Sequence, residues 1–193
     1  LEVTKECIEF STNVLGLDIR SKIEDIPNDI DLVTAWHSLE HIPESELENI
    51  MQCLSSKLKE NGRVIVCVPN NQSLQYKIFK SGFAYYDVPH HLHQFSPESL
   101  SIFMRKFGFK EESKYVSWPY ILFGYIQGLL NFINPVHNYM YYRVKRKDAK
   151  PSLLNDLINI MFLPLSVILG LFLSPLDLIS KKKQSVLTIC YKK

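Results

Sequence analysis

Five of the six histidines in this sequence fall in two short segments. His37 and His41 lie in "AWHSLEHIP", and His90, His91 and His93 lie in "PHHLHQF". Imidazole side chains bind transition metals, and they also accept and donate protons near neutral pH. The two segments are therefore the first candidates for a metal site or for acid–base catalysis.

The first segment contains the pattern H-x-x-E-H, formed by His37, Glu40 and His41. One class of zinc metalloproteases carries this pattern on a continuous helix, which brings both histidines to one face. Here the pattern directly follows an apolar, strand-like run, and Pro43 favours an extended residue or a new helix start. We therefore expect no metal at these three residues. Two alternatives remain: polar residues of a strand-to-helix loop, or ligand-binding groups at the carboxyl end of a strand.

Segments of helix type and strand type alternate over the first two thirds of the chain. Apolar residues recur with the helical period of 3.6 in three segments, at 4–16, 43–62 and 96–109. Strands are predicted at 17–19, 29–36 and 63–69, the last a continuous apolar run typical of a strand covered on both faces. This alternation predicts an α/β fold with a doubly wound, mostly parallel sheet.

Composition limits the class of partner and the compartment. The formal net charge is +2 and the isoelectric point is near 8.3, which gives no overall attraction to nucleic acid, so no nucleic-acid partner is expected. The four cysteines are scattered and form no C-x-x-C pair, which favours a reducing compartment and free thiols. We therefore expect a cytoplasmic protein.

Two longer stretches resemble a known enzyme family. Residues 29–70 place a strand beginning with Asp, the turn "WHSLEHI", a helix and a strand ending "VPN". Residues 88–109 add "HLHQFSPESL" and a helix that ends on Gly-Phe. In this order, residues 1 to about 117 are similar to the second half of a class I S-adenosylmethionine-dependent methyltransferase. The resemblance implies a Rossmann-like fold from which the first strand, the first helix and their glycine-rich loop are missing.

The resemblance also implies S-adenosylmethionine as cofactor and assigns residues to its site. These residues are Glu2, Val3, Ile23, Ala35, Trp36 and His37. Glu2 takes the place of the acidic residue that binds the ribose hydroxyls, Ile23 packs near the adenine, and 35–37 border the methionine part. Core packing is the alternative for Trp36, and a terminal position without a role is the alternative for Glu2. Without a glycine-rich loop in these residues, we expect weak cofactor binding until the missing elements are supplied.

His41 and His91 are the candidate catalytic bases. Methyl transfer needs an unprotonated acceptor, and a histidine with a pKa near neutrality can take its proton. Hydrogen bonds from these histidines to backbone carbonyls are the alternative, and metal ligation is a third. The implied reaction is methyl transfer to oxygen or nitrogen of a small or lipid- or glycan-linked acceptor. A non-catalytic remnant, working as a membrane-surface or assembly module, is the alternative function.

The last third of the chain is strongly apolar and reads as an insertion. We predict an α/β domain at 1–118, a helical hydrophobic insertion at 119–183, and a final antiparallel strand at 184–193. Leu157–Ile179 is long enough to span a bilayer, but the chain must return to pair its last strand, which excludes a single span. Two spans would carry the basic segment "RVKRK" (143–147) across the membrane, against the positive-inside tendency. We therefore expect the insertion to lie in the membrane interface, with a hydrophobic lid or a homodimer contact as the alternatives.

Overall fold

The computed structural model describes residues 1–2, 4–115, 117–146, 150, 152–179 and 186–193. Within these residues the strands are β1 (Ile30–Trp36), β2 (Leu58–Pro69), β3 (Lys110–Tyr115) and β4 (Val186–Lys192). They form one sheet in the order β1-β2-β4-β3. β1 and β2 are parallel, and β4 runs antiparallel to both β2 and β3. The mixed α/β sheet, with its last strand inserted in the antiparallel sense, confirms the predicted fold class.

Helices flank this sheet and continue into the insertion. Their bounds are α1 (Lys5–Asn13), α2 (Glu44–Lys57), α3 (Leu74–Phe79), α4 (Pro97–Arg105), α5 (Trp118–Ile133), α6 (Tyr139–Tyr141) and α7 (Leu153–Ile179), and a π-helical turn covers Tyr142–Arg146. The main core lies between the sheet and helices α2 and α4. Met51 of α2 and Leu100 and Met104 of α4 pack there with Val66 and Ile189 of the sheet.

Two sequence predictions about local structure are wrong. Residues 17–19 form no strand, and the helix predicted at 43–62 stops at Lys57. The chain enters β2 early because Leu58 pairs with Ile30, after which the register shifts so that Leu32 pairs with Arg63. Gly62 lies in this irregular stretch, where an added Cβ would come within 2.9 Å of Leu58 Cδ2. Asn61-Gly62 therefore shapes a bulge in the strand and does not end a helix.

The insertion is built on α5 and α7, which pack against each other in antiparallel directions. Trp118, at the start of α5, donates from Nε1 to Ser174 Oγ near the end of α7 at 3.1 Å. Tyr125 donates from its hydroxyl to Asp177 Oδ1 at 3.3 Å. The buried residues of α7 are polar or small, namely Asn155, Asn159, Ser166, Gly170, Ser174 and Asp177. Most large apolar side chains of α7 are exposed, and by length and composition this helix could cross a membrane.

Candidate active site

A cleft of about 750 Å³ opens beyond the carboxyl end of β1. Its polar lining includes His37, His41, Asp87 and His91. The insertion contributes apolar and aromatic lining, with Tyr120 and Phe123 of α5 and Met140, Tyr141 and Val144 beyond it. In an open α/β sheet this is the edge at which ligands bind.

The two histidine segments meet in this cleft. The backbone carbonyl of Glu40 accepts hydrogen bonds from the N–H groups of Leu92 and His93, at 2.7 and 3.2 Å. The His93 ring in turn donates from Nε2 to the Ile42 carbonyl at 2.8 Å. These bonds hold the turn after β1 against the segment that precedes α4.

His41 and His91 lie beside each other, with ring centroids 4.7 Å apart and planes at 70°. His41 donates from Nδ1 to the His90 carbonyl at 3.0 Å, and His91 donates from Nδ1 to the Tyr85 carbonyl at 3.0 Å. A carbonyl oxygen only accepts, so each neutral ring carries its proton on Nδ1 and keeps a lone pair on Nε2. Burial lowers the pKa of His91, which favours the neutral ring. In both His41 and His91, Nδ1 therefore orients the loop while Nε2 keeps a basic lone pair.

His37 has a different environment from the other two histidines of the cleft. It donates from Nδ1 to Glu40 Oε1 at 3.2 Å, and its Nε2 lies 3.7 Å from Cys67 Sγ. Burial lowers the pKa of His37, but the hydrogen bonds to Cys67 and Glu40 outweigh it and raise that pKa to about 9. At neutral pH His37 is therefore a cation that balances the Glu40 carboxylate, and it is a poor proton acceptor.

Glu40 is the most deeply buried charged group of the site. Its side chain has no exposed surface. His37 holds one oxygen, Oε1, while Oε2 has no hydrogen-bond partner within the part of the chain that the structure describes. A buried carboxylate oxygen without a partner is costly, so its position calls for an explanation.

The residues assigned to the cofactor by resemblance are distributed over a wider area. Ala35 and Trp36 end β1 beside His37, and Trp36 is 51% exposed, so it is not packed in the core. Ile23 is buried in the main core, where Ala35 packs against the same cluster. The Glu2 carboxylate accepts from the Thr4 N–H at 2.9 Å and does not line the cleft. Val3 lies outside the described residues.

These residues fit S-adenosylmethionine in part. The half-exposed Trp36 ring and the turn that follows it provide a surface at the strand end that ligands of this fold occupy. The glycine-rich cradle that the resemblance implies has no counterpart among the described residues, whose positive-φ glycines are Gly16 and Gly108. The described residues thus offer a strand-end surface without a glycine-rich cradle.

Sequence reasoning missed the aromatic side of the cleft. Tyr85 stacks on His37 with ring centroids 6.1 Å apart, and Tyr120 lies 5.2 Å from the same ring. Tyr142 donates from its hydroxyl to Asp87 Oδ1 at 2.5 Å. This hydrogen bond connects the insertion to Asp87 in the lining of the cleft. These residues are far apart in the sequence and belong to no local motif, so only the fold identifies them.

Comparisons with known proteins identify the family and the fold. The family described as "Methyltransferase domain" matches residues 5–114. A SAM-dependent methyltransferase from Archaeoglobus fulgidus is 18% identical, with a TM-score of 0.50 over 100% of this chain and 74% of that one. A cyclopropane synthase from Mycobacterium tuberculosis is 10% identical, with a TM-score of 0.51 over 99% of this chain and 68% of that one. No curated protein matches the sequence.

A further solved structure is similar in fold and carries the product form of the cofactor. It is a mycolic acid cyclopropane synthase complexed with SAH, 10% identical, with a TM-score of 0.54 over 99% of this chain and 68% of that one. At such identities the structures establish the shared fold, and the family match, which spans more than half of the chain, establishes the membership. The chain belongs to the methyltransferase-domain family.

Proposed function

We propose that this protein transfers a methyl group to oxygen or nitrogen of a lipid-linked acceptor, such as a lipid-linked glycan, with a small free acceptor as the alternative. The observation that carries the proposal is the mixed lining of the cleft. His41 and His91 supply polar groups, and the insertion supplies Tyr120, Phe123 and Met140. Such a cleft suits a molecule with a polar head and an apolar tail.

S-adenosylmethionine supplies the methyl group on a sulfonium sulfur, which leaves as a neutral thioether. The chain's own residues must place the acceptor atom and remove its proton. His41 and His91 keep their Nε2 lone pairs because their Nδ1 atoms are bonded to carbonyls. In the direct form of the mechanism one of them accepts the acceptor's proton; in the indirect form they act through a bound cation.

The distribution of polar and apolar residues around α7 supports a membrane-associated acceptor. In a helix that faces water, apolar residues turn inward; here Phe172 and Ile179 are 77% and 83% exposed, while Ser174 and Asp177 are fully buried. Contiguous exposed apolar surface of this kind is typical of an interaction site. Because neighbouring positions 143–147 carry four basic residues in sequence, an anionic lipid surface is the partner that we propose.

Contacts in the middle of the insertion argue for a peripheral arrangement. Tyr142 is hydrogen-bonded to Asp87, and Asn138 donates from Nδ2 to the Ala84 carbonyl at 2.8 Å. A segment that touches the catalytic cleft cannot lie on the far side of a hydrocarbon layer roughly 30 Å thick. We therefore propose a cytoplasmic protein whose insertion lies in the interface on one side of the membrane.

Methyl transfer from S-adenosylmethionine carrying a tritiated methyl group tests the reaction. The protein is incubated separately with the lipid extract and the aqueous extract of its source cells. We expect label in the lipid fraction, lost in His91→Ala and retained in His90→Ala, whose ring is largely exposed and outside the His41–His91 pair. Label in the aqueous fraction alone would favour the small acceptor. Label in neither fraction, with the cofactor shown by calorimetry to bind, would favour a non-catalytic remnant.

Vesicle binding tests the membrane part. We expect binding to anionic vesicles with a salt-sensitive component and a salt-resistant remainder, because surface attraction is screened and apolar insertion is not. Replacing the four basic residues at 143–147 by Gln should reduce the salt-sensitive component, at about 1 kcal/mol for each charge; Lys147 lies outside the described residues. Protection of this segment from protease in sealed vesicles would contradict the peripheral arrangement. Absence of vesicle binding would favour a lid or a dimer contact.

A further inference from the structure

We propose that Glu40, His41 and His91 bind a divalent transition-metal ion that holds and activates the acceptor oxygen. One ligand atom from each of these side chains lies within 4.8 Å of the other two. The inference rests on the proposed function. It selects the form of the mechanism in which His41 and His91 act through a bound cation. It also differs from the H-x-x-E-H reading, because His91 takes the place of His37, which is engaged with Glu40 and Cys67.

The two imidazoles are arranged as metal ligands usually are. A ligating histidine typically donates its second ring N–H to a carbonyl or carboxylate, which fixes the tautomer and the ring orientation. His41 and His91 both do so, toward the carbonyls of His90 and Tyr85 at 3.0 Å. Both Nε2 atoms are thereby left with lone pairs, the form in which imidazole binds a metal.

Glu40 supplies the independent observation. Its side chain is fully buried, yet its Oε2 has no hydrogen-bond partner among the residues that the structure describes. The other oxygen is fixed by His37, so the carboxylate is oriented as well as desolvated. A cation bound between Glu40, His41 and His91 would satisfy this oxygen and remove the penalty of leaving it bare.

The backbone brings the three ligands together before any ion binds. Glu40 and His41 are consecutive in the turn after β1, and the Glu40 carbonyl accepts the N–H groups of Leu92 and His93. His91 therefore sits on a segment that is bonded directly to the turn carrying the other two. The three ligand atoms, within 4.8 Å of one another, would have to close further around an ion about 2.1 Å from each.

The ligand set indicates which ions fit. Two imidazoles and one carboxylate suit Zn²⁺, Co²⁺ or Fe²⁺, whereas Mg²⁺ and Ca²⁺ prefer oxygen ligands. Three protein ligands would leave a coordination position for a further ligand, as in catalytic sites. An acceptor hydroxyl held there would lose its proton to water more readily. Its oxygen would form the bond to the methyl carbon as the carbon–sulfur bond breaks, and no oxidant or reductant would be needed.

Cobalt binding tests the site without relying on activity. The protein is stripped with a chelator, dialysed against Co²⁺, and analysed for bound metal and visible absorption. We expect one Co²⁺ per chain, with the absorption of a low-coordinate site, displaced by Zn²⁺. Removing even an outer-shell partner typically weakens metal affinity 10–100-fold, so Glu40→Gln and His91→Ala should each weaken it at least about 100-fold. Glu98→Gln, at an exposed position in the first turn of α4, should bind as the parent protein does, and circular dichroism verifies that each variant is folded.

Each outcome separates the metal site from the proposed function. No stoichiometric cobalt in the parent protein, or equal affinity in folded Glu40→Gln, overturns the site. Methyl transfer that continues at full rate after metal removal leaves the proposed function standing and overturns the metal's role. Stoichiometric cobalt in a protein that transfers no methyl group supports the site and counts against the function.

Discussion

Helices α4 and α7 follow the same helical period but turn opposite kinds of residue toward the protein. In α4, Leu100 and Met104 are fully buried and the cap residue Ser96 closes the first turn with Ser99. In α7, Ser174 and Asp177 are fully buried and Phe172 is 77% exposed. The contrast shows that α4 is folded against water, whereas the outer face of α7 is suited to an apolar surrounding.

The inward face of α7 is nevertheless well formed. Two of its buried polar groups have partners on α5: Ser174 accepts from Trp118 and Asp177 accepts from Tyr125. Gly170 lets α5 approach closely, with the nearest side-chain atom 3.1 Å from where a Cβ would stand. Small residues and bonded polar groups between helices are typical of packing in or at membranes, where apolar burial gives little gain.

The two helices should differ most in how much a leucine-to-alanine substitution lowers the free energy of unfolding. Leu100→Ala should lower the free energy of unfolding by about 2–5 kcal/mol, because a fully buried side chain leaves a cavity. Leu154→Ala in α7, at a position 66% exposed, should change it by less than about 0.5 kcal/mol. Urea denaturation of both variants in vesicle-free buffer measures the two values. Equal losses would mean that the outer face of α7 is buried in the isolated protein, for example in a dimer.

The second comparison concerns membrane affinity. Phe172→Ser should weaken partitioning into vesicles by about 1.5–3 kcal/mol, or roughly 10- to 150-fold, because a mostly exposed aromatic ring would no longer enter lipid. Ile102→Ser is the matched control, since Ile102 is 61% exposed on α4, away from the insertion. Vesicle sedimentation at high salt isolates the apolar part of binding. If Ile102→Ser weakened it as much as Phe172→Ser, the membrane-facing surface would not be specific to α7.

The third comparison concerns how tightly the protein packs around two glycines of the insertion, Gly128 and Gly170. A Cβ at Gly128 of α5 would come within 2.6 Å of the buried ring of Phe79, whereas at Gly170 of α7 the nearest atom lies at 3.1 Å. Gly128→Ala should therefore cost about 1–3 kcal/mol through overpacking. Gly170→Ala should be close to neutral, because the better helix propensity of alanine, about 1 kcal/mol, offsets the tighter contact. Thermal unfolding of both variants makes the comparison, and a larger loss at Gly170 would place the tighter interface between α5 and α7.

The sequence predicted the α/β core well because its signals are local. The run at 63–69 has the composition of a covered strand, and Ser96-Pro97 marks the start of α4, and both occur as predicted. The end of α2 was placed too late because Asn61-Gly62 also suits a helix end, and the choice depends on the pairing of Leu58 with Ile30. That pairing is a long-range contact that no local pattern encodes.

Only part of the candidate site could be predicted from the sequence. The two histidine motifs and the carboxyl ends of the strands bring His41 and His91 together, and the fold places them 4.7 Å apart between ring centroids. The burial of Glu40 and the lining contributed by Tyr120 and Met140 could not be predicted, since both depend on long-range contacts. The cofactor roles of Glu2, Val3, Ile23, Ala35, Trp36 and His37 remain predictions.

The smallest expected effect tests the polar contact at the inner face of α7. Ser174→Ala removes the acceptor of the Trp118 indole N–H, which is 3.1 Å from Ser174 Oγ. Because Trp118 is 42% exposed, water can replace the lost acceptor, and the cost should be only about 0.5–1.5 kcal/mol. Trp118→Phe and the double variant complete a cycle whose coupling energy reports the bond itself. In detergent micelles, where water is scarcer around the helix, the coupling should increase. A coupling that vanishes in micelles would mean that α7 leaves α5 in an apolar medium, and that its inward polar face belongs to the water-exposed state alone.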